Sequence, residues 1–159
     1  MSTASLDQFE QVLRRGVRES DWLFRMPWLH LVEAQVAGGG RAHMYDLTWS
    51  APANGGALGA CLGLDVPLTF GVYGGLGGML TGPEPGPEPS PATEALSARF
   101  RSAWTAFAAT GDPGWAAYDS EQRLVQVLDS EPTVAAYPEE ASRRLWERHT
   151  FAALPLTTA

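Results

Sequence analysis

The 159-residue chain contains no lysine; all eleven of its basic residues are arginine. That absence excludes Schiff-base chemistry and a P-loop lysine within these residues. Cysteine is nearly absent as well. Cys61 alone cannot build an internal disulfide framework or a cysteine-rich metal site. Positive charge is scarce: eleven basic residues against eighteen acidic ones leave a net charge of −7, which disfavours nonspecific nucleic-acid binding because neutralising phosphates needs a basic face. No nucleic-acid partner is expected. Long hydrophobic runs are missing, since glycine, proline or charge breaks each of them, so no segment reads as a membrane span. The opening stretch MSTASLDQFEQV lacks a basic segment followed by an apolar core, which predicts no secretory leader and a cytoplasmic location.

Chemistry-bearing clusters are also sparse. His30, His43 and His149 belong to no metal-ligand pattern such as HExxH, so no metal is expected. Their ordinary readings are a partly buried helix residue, a sheet residue and a cation at a helix C-terminus. No G-x-S-x-G elbow occurs to announce a serine nucleophile. Cys61, between alanine and leucine, reads as a small buried apolar residue before it reads as a thiolate. GGLGGMLTG (74–82) lacks the strand, the G-x-G-x-x-G register and the basic partner of a phosphate loop. No cofactor is expected. Tryptophans 28, 49, 104, 115 and 146 could line a pocket, but aromatic stripes on helices are more often core.

What is present is the composition of one folded domain: 45% hydrophobic and 18% charged residues over residues 1–159. Ser5 and Gln8 have capping-box spacing, with Leu6, Phe9, Val12, Leu13 and Val17 following at helical intervals, so a first helix is predicted to end near 16–19. SDWLFRMPWLHLVEAQVAGGG predicts a second helix, capped by Ser20 or Asp21, kinked or restarted at Pro27, and stopped by three glycines. RAHMYDLTW (41–49) changes to period two, with His43, Tyr45, Leu47 and Trp49 on an aromatic, apolar face. Residues 50–91 read as a long connection, its first part ordered around a tight loop and short buried turn, and 77–91 a flexible Gly/Pro segment. Ser90-Pro91 opens a helix closed by Gly111, with Leu96, Phe100, Ala103, Trp104 and Phe107 as its buried stripe. Residues 122–137 read as two strands around a turn at 129–132. PEEASRRLWERH reads as a last helix, acidic first and basic last, and 150–159 as a tail.

Several segments together resemble the C-terminal portion of type-B carboxylesterases, the branch of the α/β-hydrolase fold with para-nitrobenzyl esterases and cholinesterases. SDWLFRMPWLHLVEAQVAGGGRAHMYDLTW is similar to the family's helix beginning at an acid and phenylalanine, followed by a strand ending in an aromatic. GACLGLDVPLTFG is similar to a motif G-A-x-H-G-x-E/D-x-P-x-x-F. AWTAFAATGDPGWAAYD resembles a helix ending F-A-x-T-G-x-P, and RLVQVLDSEPTVAAYPEEASRRLWE the closing hairpin and last helix, down to R-x-x-W at Arg143 to Trp146. The resemblance runs from about Ser20 to Trp146 in one order.

It implies an α/β fold: the C-terminal fragment of an α/β-hydrolase, a few-stranded sheet packed by helices. It also implies that Leu62 occupies the position of the family's catalytic histidine, the general base of a Ser-His-acid triad. Leucine has no lone pair and no transferable proton. Asp65, at the motif's acid position, is expected to hold the loop by hydrogen bonds. The nucleophile, oxyanion-hole loop and triad acid of such esterases precede the region resembled, in chains several times longer.

Three functions compete on this basis. The first is a non-catalytic interaction partner, pairing with a second copy or a second polypeptide that covers the sheet edge. The second is a repurposed cyclase- or isomerase-like enzyme, or a binder of a small hydrophobic molecule, using Asp46, Asp65, His43 and Cys61. The third is an ester hydrolase completed by a partner chain.

Overall fold

The computed structural model describes residues 20–52, 56–73 and 89–150. The helix expected over residues 5–19, most of the 77–91 segment and nearly all of the tail lie outside these.

One compact unit gathers the described residues up to Arg41 with those from Tyr137 onward; the other runs from Ala42 to Ala136. In the first, a π-helical turn over Asp21–Arg25 leads into α1, Met26–Ala37. The change of winding falls at Met26, with Pro27 in the first turn of α1, where a missing backbone N–H costs least. The restart expected at Pro27 is thus a π-to-α transition. Neither expected cap acts as one. Ser20 has helical dihedrals and makes no capping bond, while Asp21 is buried and pairs with Arg25 at 3.2 Å. A buried carboxylate needs a cation more than a helix end needs a cap. At the other end the glycines stop the helix: Gly38 N–H reaches Ala34 O, and Gly39 takes φ +82°, a left-handed value that favours glycine.

The last helix, α4, spans Glu140–Trp146, shorter at both ends than the sequence predicts. Its bonds concentrate at Arg143, which meets Glu140 at 2.7 Å and Glu147 at 3.3 Å. Arg25 also lies 3.8 Å from Glu139, just ahead of α4.

The second unit is built on a three-stranded sheet of order β1-β2-β3. β1, Tyr45–Leu47, runs parallel to β2, Leu124–Leu128; β2 and β3, Thr133–Ala136, form the antiparallel hairpin that the sequence predicts. β1 is shorter than the 41–49 expected. Met44 O and Thr48 N are its outermost bonds to β2, whereas Ala42 O turns away to accept from Tyr118 N in a loop. In β2, Val125 and Leu128 are both buried and have opposite parity, so the central strand buries a residue on each face.

Two helices pack this sheet into a core. α2, Asp65–Phe70, is an element the sequence reading left inside its long connection. α3, Pro91–Thr110, begins as predicted: Ser90 Oγ accepts from Thr93 N at 3.1 Å, Pro91 opens the first turn, and Gly111 closes the helix at φ +74°. Leu64 and Leu68 meet Leu96 and Phe100 of α3, together with Trp49, Ala51 and Leu128, in one buried cluster edged by Tyr45, Leu47, Cys61 and Trp104. The aromatic face of β1 therefore points into the core as its alternation implies. The expected stripe on α3 is buried only as far as Phe100. Trp104 is half-buried and Phe107 is 51% exposed, because a helix of roughly 30 Å outruns a three-residue strand.

A polar clamp fastens α2 to α3. Ser97 Oγ donates to Leu68 O, Arg101 donates to Ser97 Oγ at 2.7 Å and to Glu94 at 2.6 Å, and Tyr73 donates to Glu94 at 2.7 Å. The Tyr73 hydroxyl, then Arg101, hold the Glu94 carboxyl below its ordinary range. Gly71, at φ +64°, closes α2 directly under this clamp; a Cβ there would lie 2.7 Å from Arg101 Nη1. Gly71→Ala is expected to cost about 1 kcal/mol from the left-handed backbone. It should also displace Arg101, which is checked by urea unfolding beside an Arg101→Ala control.

Candidate functional site

The loop that the sequence singles out, residues 58–71, is shaped by glycines with positive φ at 59, 63 and 71. Leu64 N–H bonds to Cys61 O and Val66 N–H to Gly63 O, so the chain winds through a turn directly into α2. Inward and outward positions then alternate by helical geometry. Leu64, Pro67 and Leu68 are buried, and Cys61 is half-buried against the core. Leu62, Val66 and Phe70, spaced four apart on the opposite face, are 79%, 55% and 72% exposed.

Leu62 is thus a solvent-facing side chain at the head of an apolar stripe. Beneath it, Asp65 Oδ2 accepts a 3.1 Å hydrogen bond from the Tyr45 hydroxyl. That bond ties the start of α2 to β1. Burial, then the neighbouring Asp65 charge and the bond itself, push the Tyr45 phenol well above its usual pKa. A phenol whose ionised form is disfavoured in the fold contributes stability that is complete below the unfolded pKa of about 10 and is lost as pH rises beyond it. Tyr45→Phe is expected to lower stability by about 1–2 kcal/mol at neutral pH. It should also remove this tyrosine's share of the alkaline decline, measured by unfolding midpoints at neutral pH and above pH 10.

The fold brings Cys61, Leu62, Asp65 and Tyr45 together, but it engages His43 elsewhere. His43 Nδ1 lies 3.0 Å from Trp115 O. A carbonyl can only accept, so Nδ1 carries the proton. The imidazole also stands edge-on to Phe107, with centroids 6.0 Å apart. Asp46 alternates with Tyr45 and Leu47 in β1 and so projects to the other face of the sheet. The tryptophans do not share one lining: Trp49 belongs to the buried cluster, Trp104 and Trp115 stand 6.2 Å apart, and Trp28 is 62% exposed. Sequence reading missed Tyr45 as the partner of Asp65. Its signal was present in the period-two alternation, which points Tyr45 inward, but the pairing needed the fold.

Among the described residues, no group of three or more His, Cys, Asp or Glu side chains could hold a metal ion, and no helix is long and apolar enough to cross a membrane.

No protein-family profile matches the chain. Solved structures do. A PNB (para-nitrobenzyl) esterase is 32% identical over 79% of this chain and 25% of its own, with a TM-score of 0.65. The carboxylesterase of Geobacillus stearothermophilus is 25% identical over 80% of this chain and 27% of its own, with a TM-score of 0.64. An esterase from Clostridium hathewayi, at 20% identity and a TM-score of 0.62, shares the fold. The chain spans about a quarter of the length of these esterases. In sequence and in fold, it is similar to a fragment of the α/β-hydrolase fold as para-nitrobenzyl esterases and carboxylesterases build it.

Proposed function

We propose that this chain is a carboxylesterase-like domain that completes no Ser-His-acid triad from its own residues and acts as an interaction partner of another polypeptide. The observation that carries the reading is Leu62. The resemblance aligns it with the family's general base, and it stands 79% exposed at the head of an apolar stripe. An aliphatic side chain there cannot accept or return a proton, and an exposed apolar stripe is what a contact surface presents. β1 adds to this: among the described residues it bonds to a neighbouring strand on one side only, and such an edge invites pairing. The occupant favoured is a second polypeptide, because a net charge of −7 opposes self-association. A single thiol suits a reducing, cytoplasmic setting.

Assay of the purified chain with a chromogenic ester tests the catalytic half of this reading. No turnover above buffer is expected, either from the chain as it stands or from Leu62→His, since a base without a nucleophile does not rebuild a triad. Turnover abolished by Cys61→Ala would overturn the reading and make that thiol the nucleophile.

A further inference from the structure

Two polar atoms of the 42–136 unit are buried with nothing to bond. His43 Nε2 and the Trp115 indole Nε1 are shut off from solvent, and neither has a hydrogen-bond partner among the described residues. Buried polar groups are nearly always paired, and each orphan costs about 1–3 kcal/mol. The two are chemically complementary. His43 Nδ1 donates to Trp115 O at 3.0 Å, so Nε2 of the neutral ring is an acceptor that lacks a donor. The indole N–H is a donor that lacks an acceptor.

The fold gathers both around the last turns of α3. His43 stands edge-on to Phe107, with centroids 6.0 Å apart, and Trp115 lies 6.2 Å from Trp104. Trp104 and Phe107 are three residues apart and so neighbours on one side of the helix. Phe107, half-exposed, forms the outer wall. We propose that this aromatic corner binds a small phenol. Its hydroxyl oxygen accepts from Trp115 Nε1–H and donates to His43 Nε2, each at about 3 Å, while its ring packs against Trp104 and Phe107. A carboxylate does not suit the pair, because it has no proton to give Nε2. Entry requires the Phe107 ring to turn aside. The corner shares no residue with the Leu62 stripe, so the inference stands or falls apart from the proposed function.

The test is a titration of the unaltered chain with phenol, followed by NMR at a pH of about 8, where free histidine is neutral. Signals of the Trp115 indole N–H and the His43 imidazole nitrogens should shift together and saturate at one phenol concentration. Toluene, of the same shape without the hydroxyl, should bind at least about tenfold more weakly, as the loss of two hydrogen bonds implies. Trp115→Phe keeps the carbonyl that orients His43 and should weaken phenol about tenfold, read at the imidazole. Toluene binding as tightly as phenol, or no saturating shift at either residue, would overturn the proposal. A long-lived water contacting the indole N–H that phenol does not displace would also overturn it, and would give both atoms to solvent.

Discussion

Phe100→Ala is expected to destabilise the 42–136 unit by about 3–5 kcal/mol, the range for deleting a fully buried aromatic ring. Phe100 has no exposed surface and sits at the centre of the cluster that joins α2, α3 and the sheet. Its ring meets Tyr45 edge-on at 5.9 Å and Trp104 at 5.1 Å, so truncation removes aromatic contacts as well as buried area. Domains of this size are stable by only about 5–15 kcal/mol in total, so the variant should unfold at much lower urea or fail to accumulate. Phe107→Ala serves as the control. Two turns further along α3 and half-exposed, it should cost no more than about 1 kcal/mol. Tryptophan fluorescence during urea unfolding checks both, because Trp49 and Trp104 lie in or beside the same cluster. Equal costs at the two positions would mean that the core does not centre where the fold places it.

The largest functional effect is expected from charging the outward stripe Leu62–Val66–Phe70. Leu62, in the turn that leads into α2, and Phe70, at its end, are 79% and 72% exposed, and neither belongs to the buried cluster that Leu62→Asp or Phe70→Asp would have to disturb. Stability should therefore change by no more than about 0.5 kcal/mol each. If the stripe is the centre of a contact surface, each change removes an apolar anchor and places a charge in a desolvated interface. Losses of about 2 kcal/mol or more each, roughly 30-fold in affinity, are typical of such central positions. Folding kept and association lost would be the signature. Association unaffected by both would move the contact to another surface and remove the support that Leu62 gives the proposed role.

How much of this was legible in the sequence depends on how local the cause was. α3 was legible because its determinants are: a serine cap, a proline in the first turn and a glycine that adopts the left-handed region. The hairpin was legible for the same reason, its turn residues lying between two strand-forming runs. β1 was placed correctly, but its ends were not, since they depend on which carbonyls find partners in β2 and which turn to Tyr118. The π-helical turn at Asp21–Arg25 was not legible. Asp21 reads as a cap on local grounds, and burial beside Arg25 assigns it otherwise. α2 could have been read: Leu64 and Leu68 are one turn apart, an acid opens the helix and Gly71 closes it. A short helix after a glycine-rich loop carries too few turns to show a period.

The site divides in the same way. The register Gly59-Ala60-Cys61-Leu62-Gly63 singled out Leu62, and the fold shows what periodicity could not, that this leucine faces outward while Cys61 and Leu64 face the core. That Asp65 holds the loop was expected; that it does so through Tyr45, twenty residues earlier, required the sheet to bring them together. His43 and Asp46, grouped with Asp65 and Cys61 at the end where the resemblance implies an active site, are directed elsewhere by the ring's bond to Trp115 and by the alternation of β1.

Whether this chain works as part of a complex, as proposed, is decided by the native mass of the protein purified from its own host under gentle conditions. A mass above that of one chain is expected, with a second polypeptide present in fixed proportion. Two copies of this chain would keep the interaction role and change the partner. A mass of a single 17.1 kDa chain at every concentration, with no second polypeptide, would rule out the interaction role.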